Sequence, residues 1–341
     1  MKRFCIGLFL LAPMISFADR VVNVYTWSNY LPDSVLAKFT QKTGIKVNYA
    51  LYDGNETMYA KLKGNPNVGY DVIFPGSYYV EKMAGEGMLM PLDKKAIPSI
   101  KQLRESLMRQ PFDPNNIYSL PYVWGATGIV YNDRYHNGKN LKNWRDLWKP
   151  EYKNQLLLLN DSREVFSFAL LALGYSVNER NPEHIKEAYL LLKKLMPNVR
   201  VINSLSANNL YLDEDITVGM NWNGDTYLVE KENPHVHFVY PEKNFIMWID
   251  CVAVSAHAPH PKEAMEFINF ILSPEISAQI SQFIGYPPPN AEALKLMPRS
   301  LKENPTFNPS TETLKRAKMQ RSVGDAVRWY AYYWQRLKLN V

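Results

Sequence analysis

One run, Asn244 to Ser255 (NFIMWIDCVAVS), limits the folds open to this chain more than any other stretch. Alternate side chains of a strand point to opposite faces. One face then carries Phe245, Met247, Ile249, Cys251 and Ala253, all apolar, and the other carries Ile246, Trp248, Asp250 and Val252. A carboxylate inside so apolar a strand is costly to desolvate unless a cation or a donor meets it. Trp248 lies on the same face and offers a π surface to such a cation. The other reading is that Asp250 ends the strand and bonds a nearby backbone amide. These residues alone leave both open.

The chain around this run alternates strand and helix patterns. Residues 21–27 (VVNVYTW) read as a buried strand, followed by a helix over 32–43 that Gly44 stops, a strand over 46–52 and a helix over 55–62. A strand at 71–74 and a helix at 78–86 come next. Beyond Tyr118 the expectation is a strand at 128–132, with Gly125 marking a chain crossing between domains. A second series has strands at 155–159, 216–222 and 236–240, and helices at 162–173, 182–195 and 224–231. Helices at 261–272, 274–283, 311–318 and 323–337 follow the organising strand, with Pro287-Pro288-Pro289 as a rigid connector. Strands alternating with helices imply parallel sheets flanked by helices, so the fold class is α/β in two lobes with a cleft between them. Ligands of such sheets sit beyond the carboxyl ends of the strands.

The first residues carry a basic start at Lys2 and Arg3, a short apolar run and a small-x-small cleavage site at Ser16-Phe17-Ala18, which is the pattern of a secretory signal peptide over residues 1–18. No later run of about twenty apolar residues follows, so the mature chain is expected to be soluble and exported to a bacterial periplasm. Once Cys5 leaves with the leader, Cys251 is the remaining thiol, which excludes an internal disulfide and a cysteine metal cluster. The 39 basic and 33 acidic residues are interspersed, a mixed solvated surface and not a nucleic-acid footprint.

Enzyme signatures are missing: no G-x-S-x-G elbow, Walker loop, dinucleotide fingerprint or H-E-x-x-H occurs. His235 and His237 alternate on one strand and His257 and His260 lie three apart, with too few further ligands for a metal. Neither a cofactor nor a metal is expected. Asp161-Ser162-Arg163-Glu164 follows a strand directly. It reads first as a capping box, in which both carboxylates would stay ionised beside the helix N-terminus, and secondly as a strand end where ligands also sit. Trp27, Tyr30, Tyr78, Trp222, Trp248 and Tyr286 each fall at a strand end or loop on the expected cleft side. Aromatic rings with acids at their ends suit a flexible polycation, because ring faces stack on methylenes and attract ammonium while carboxylates take its hydrogen bonds.

Longer runs carry a resemblance over nearly the whole mature chain: NETMYAKLK (55–63), PFDPNN (111–116), YVWGAT (122–127), DLWKPEYK (146–153), REVF (163–166), KLMPNV (194–199), WNG (222–224) and IGYP (284–287). In these the chain resembles the periplasmic spermidine/putrescine-binding proteins of bacterial polyamine ABC importers, the PotD type. The resemblance implies a type II periplasmic binding fold, with lobe 1 made of residues 19–124 and 250–294 and lobe 2 of 125–249 and 295–341. It implies an aromatic box of Trp27, Tyr30, Tyr78, Trp222, Trp248 and Tyr286, amine-binding acids at Asp161, Glu164 and Asp250, and polar contacts from Ser28 and Gln320. It also implies an inner-membrane ABC permease as partner. Two positions depart: Asn29 stands where the family usually has an acid, and Gly76 where it has a hydroxyl. The first weakens the grip on one terminal ammonium and leaves spermidine against putrescine undecided. A receptor of the same fold for another solute, and an amine-acting enzyme, are the remaining alternatives.

Overall fold

The computed structural model of the chain describes residues 20–339. The leader, its cleavage site and Cys5 lie outside the described residues. The strands in chain order are β1 (Val21–Trp27), β2 (Lys46–Tyr52), β3 (Val72–Ile73), β4 (Leu89–Met90), β5 (Ser119–Asn132) and β6 (Leu156–Leu158). They continue as β7 (Val199–Ile202), β8 (Val218–Trp222), β9 (Val236–Val239), β10 (Phe245–Ser255) and β11 (Ala317–Met319). Hydrogen bonding runs β2-β1-β3-β10-β5-β8-β6-β7, with β4 and β11 also on β10 and β9 on β5.

β1 pairs parallel with both β2 and β3. Parallel neighbours need crossovers, which the helices Asp33–Thr43 and Asn55–Gly64 supply. Two apolar clusters cover the faces of this side of the sheet, one built on Val24, Phe39, Phe267 and Ile268, the other on Tyr25, Met58, Val80 and Cys251. A third fills the other half, with Leu157, Phe168, Leu192, Met220 and Tyr330 at its centre. Each such side chain contributes roughly 1.5–3 kcal/mol on burial, so the halves hold without a cross-link, and Cys251 is buried and free.

β5 and β10 pass from one half to the other. β5 gives Leu120 and Val123 to the first half and Ile129 and Val130 to the second; β10 gives Val252 and Val254 to the first and Ile246 to the second. They pair antiparallel from Thr127–Ile246 to Ser119–Ala253. The register slips between Asp250, opposite Val123, and Cys251, opposite Pro121, so Tyr122 is an extra residue in β5. Such a bulge re-aims the side chains around it. The faces of β10 are those its alternation predicts: Met247, Ile249, Cys251 and Ala253 pack on one cluster, Trp248, Val252 and Val254 on the other.

Some elements differ from expectation. β5 begins at Ser119 and not Gly128, because Pro121 and Gly125, which look like breakers, are absorbed by the bulge and by a close approach. At Gly125 an added Cβ would lie 2.5 Å from the Trp248 ring and 2.7 Å from Asn223 Oδ1. The helix expected over 311–318 stops at Leu314, since β10 offers a free edge on which Ala317–Met319 pairs in parallel. β7 was not foreseen. Gly125→Ala is expected to cost about 1–3 kcal/mol of overpacking, read as a lower urea midpoint; an unchanged midpoint would show that the indole has room to yield.

Candidate ligand-binding site

The carboxyl ends of β1 and β3 build one wall. Trp27 closes β1, and its Nε1 donates to Phe74 O at 3.0 Å, an oxygen that also accepts from Tyr52 Oη at 2.6 Å. Two rings are thereby fixed by one carbonyl. The turn that follows has Asn29 at φ 57, a left-handed conformation that asparagine tolerates. Tyr30 then folds inward, its carbonyl held by the Tyr122 hydroxyl at 2.6 Å, so the bulge residue of β5 anchors this loop. The Tyr30 hydroxyl donates to Asp250 Oδ2. Gly76 forms an isolated bridge with Asp250, and its N–H donates to Asn55 Oδ1 at 2.9 Å. An added Cβ at Gly76 would meet Asn55 Nδ2 at 3.0 Å and Asp250 Oδ1 at 3.3 Å. The hydroxyl residue common in the family would need that pair to shift.

The opposite wall comes mainly from the second half, joined by Trp248 and Tyr286 of the first half's core cluster. Asp161 caps the helix Ser162–Leu173, accepting from the backbone N–H of Arg163 at 2.8 Å and of Glu164 at 3.0 Å. The expected capping box is thus half formed: Glu164 makes no return bond, and its Oε2 is buried without a partner. Trp222 ends β8, and the Trp248 ring meets Tyr286 edge-on at 5.1 Å. Tyr286 donates to Asp225, which also accepts from Asn208 Nδ2 at 2.9 Å. Gln320 is held by Met247 O at 3.1 Å and Ser167 Oγ at 3.2 Å.

Every site residue named from the sequence, Ser28 and Gln320 included, lines one cavity of about 420 Å3 between the two halves. Residues missed also line it, among them Tyr52, Asn55, Asn208 and Asp225. Tyr52 ends β2 and Asp225 follows the end of β8 by three residues, so the strand-end rule that selected Asp161 would have found both. Leu205 and Phe283, exposed at the rim, carry no sequence signal.

Burial dominates the electrostatics. It pushes the Asp250 carboxyl up to about 7, against the Tyr30 hydrogen bond and with a further push from the Asp161 charge. Glu164 is raised by burial and then by Asp161; the Thr127 hydroxyl, too poorly placed to satisfy the orphaned oxygen, offsets this only in part. Asp161 is raised by burial despite its two backbone N–H bonds and the Arg163 charge. Asp225 is raised by burial, with Tyr286 and Asn208 pulling the other way. This corrects the expectation that the helix terminus keeps Asp161 and Glu164 ionised: desolvation outweighs the dipole. Among the described residues, no ion pair engages Asp161, Glu164, Asp225 or Asp250. The salt bridges run between other groups, and Arg163 donates to Arg321 O, Val177 O and Asn178 Oδ1. Asp250 bonds a tyrosine hydroxyl and no backbone amide, so of the two readings left open for it the one in which it ends a strand falls away.

Acids without counter-charges, walled by rings, suit a cationic guest. No group of three or more His, Cys, Asp or Glu among the described residues is arranged to hold a metal. His235 and His237 instead both bond Asp133, at 2.7 and 2.9 Å. Two α/β halves sharing crossing strands, with a cavity lined from both, define a solute-binding receptor of the type II periplasmic binding fold. The bacterial extracellular solute-binding protein family matches residues 34–309. The spermidine/putrescine-binding periplasmic protein of Escherichia coli K12 is 44% identical over 320 residues, covering 94% of this chain and 92% of that one. Among solved structures, a Listeria monocytogenes chain named for a spermidine/putrescine ABC transporter superposes with a TM-score of 0.91 at 33% identity, over 94% of this chain and 100% of that chain. The spermidine/putrescine substrate-binding protein PotD of Streptococcus pneumoniae gives 0.81 at 33% identity, over 94% and 99%. The chain belongs to the bacterial extracellular solute-binding proteins, and within them to the family of the periplasmic spermidine/putrescine-binding proteins.

Proposed function

We propose that this protein captures spermidine or putrescine in the periplasm and delivers it to an inner-membrane ABC permease. It is a receptor and not an enzyme, as its relatives are named binding proteins. Among the described residues no helix is long and apolar enough to cross a membrane. The observation that carries the reading is the set of buried carboxyl groups, free of lysine or arginine partners, between aromatic rings in a cavity that both halves line. In this reading Asp161, Glu164 and Asp250 take ammonium groups. Trp27, Tyr30, Tyr78, Trp222, Trp248 and Tyr286 take the methylenes, and Ser28 and Gln320 supply polar contacts. The halves move as lobes divided near Trp124, Ile249 and Leu294, and closure is favoured because only the closed form satisfies both sets of contacts.

The acids also bear on ligand length. Tyr286 feels both Asp225 and Asp250, whereas Glu164 feels Asp250 and Asp161. Asp225, Asp250 and the Asp161–Glu164 pair all line the cavity, and in this reading they serve as three negative stations. In this reading Asp225 restores the number of acids that the Asn29 departure lowers. Three stations match a trication, and spermidine is expected to bind at least about tenfold tighter than putrescine, roughly one extra charge-assisted contact. The experiment is tryptophan-fluorescence titration of unfolded and refolded protein with both amines, amino acids and sugars. Saturation by an amino acid or sugar in preference to either amine would overturn the proposal.

A further inference from the structure

We infer that Arg163, which does not line the cavity, is a positioning residue for ligand capture: it clamps the Met319–Arg321 segment and the Tyr78 ring onto the acid-bearing helix, and lends its charge to the acids beside it. The inference rests on the polyamine reading above.

The geometry is unusual for an arginine. It is 2% exposed, and its guanidinium lies between Tyr78 and Tyr330, with each ring centroid 5.2 Å from Cζ. Both terminal nitrogens donate to Arg321 O, at 3.2 and 3.3 Å, and one also reaches Val177 O and Asn178 Oδ1. Nε is buried without a partner. Every acceptor is neutral. A buried cation answered by no carboxylate is expensive, and a neutral side chain could fill the space between two rings.

The clamp explains one part. Asn178 Nδ2 donates to Met319 O at 2.9 Å, and Arg321 N donates to Asn178 Oδ1 at 2.7 Å. Arg163 and Asn178, themselves hydrogen-bonded to each other, thus hold together the segment that carries Gln320 into the cavity. Tyr78 comes from the helix Ser77–Gly85 of the other half, so its stack on the guanidinium spans the cleft. Nearby, Glu81 of that helix meets Arg321 at 3.4 Å.

The charge explains the rest. Groups facing the guanidinium are Asp161 and Glu164 on its own helix, Glu56 from the helix Asn55–Gly64, Tyr78 and Tyr79 from the helix Ser77–Gly85, and Tyr330 from the C-terminal helix. Its field lowers the pKa of each of these acids against the upward push of burial. It therefore favours the ionised carboxylates that an ammonium needs, while its own hydrogen bonds go to Arg321 O, Val177 O and Asn178 Oδ1.

The test is calorimetric titration with spermidine at about pH 6.5 and about pH 9 on Arg163→Lys and Arg163→Met. Arg163→Lys keeps the charge but lacks the planar fork, and should lose about tenfold in affinity at both pH values. Arg163→Met should lose about a further tenfold at the lower pH only, because at the higher pH the acids ionise unaided. Parallel losses in both variants across pH, or wild-type affinity in Arg163→Lys, would overturn the proposal. Should the methionine variant not fold, hydrogen exchange in ligand-free Arg163→Lys decides. Faster exchange of the 319–322 amides supports the clamp, and unchanged exchange refutes it. If the wild type itself ignores spermidine, the functional reading fails, and the exchange experiment still judges the clamp.

Discussion

Asp250→Asn is expected to weaken spermidine binding by about 2–5 kcal/mol, roughly thirtyfold to several-thousandfold, the cost of breaking a buried hydrogen-bonded charge pair. The substitution keeps the shape, and the amide oxygen can still accept from Tyr30. What it removes is a buried negative charge in the cavity lining that no basic side chain pairs with. The folded structure should survive, because the empty cavity already favours the neutral acid at this position. Calorimetry is the measurement, with thermal unfolding as the control. An affinity within about a factor of two of wild type would remove Asp250 from the site.

The second large effect is on pH. The Asp250 carboxyl, at about 7, sits well above its ordinary value, and Asp161, Glu164 and Asp225 are raised as well. Between about pH 4 and pH 8 these four groups therefore hold more protons in the folded, empty protein than in the unfolded chain, so their contribution to stability is greatest at the acid end and falls as pH rises through that window. A polyamine needs the ionised forms, and its binding expels those protons. Affinity should climb from about pH 6 to pH 8, by up to about tenfold per unit for each proton released, and decline above about pH 10 as amines neutralise. Titrations in buffers of different ionisation enthalpy will read proton release directly. Flat affinity from about pH 6 to 8 with no proton release would mean that the acids are ionised before ligand arrives. The thermal shift caused by ligand should grow over the same range.

Much of this was legible in the residues. The faces of β10 followed from alternation alone, and Asp161 as helix cap followed from its place after a strand. Trp27, Tyr78 and Trp222 could be placed on one side of the sheets because strand ends gather there. Ser28 could be placed there too, with its polar contact entering through family resemblance, and Gln320 entered through that resemblance alone. β11 was illegible for a physical reason: three residues become a strand only because β10 leaves an edge for them. The long reach of β5 was hidden by Pro121 and Gly125, whose breaking tendency tertiary packing overrides. The ionisation of the acids depends on depth below the surface, which no linear spacing encodes.

Asp250 rides on the ribbon of β5 and β10 that passes from one half to the other, and is tied there to Tyr30 and Gly76 of the first half. A guest that grips only this carboxyl touches one wall, and gives the other half no reason to swing toward it. Occupancy and shutting are separable in such a molecule. A short monoamine would act as a silent plug, filling the receptor without producing the shape a permease recognises, so that reach as well as charge decides what counts as cargo.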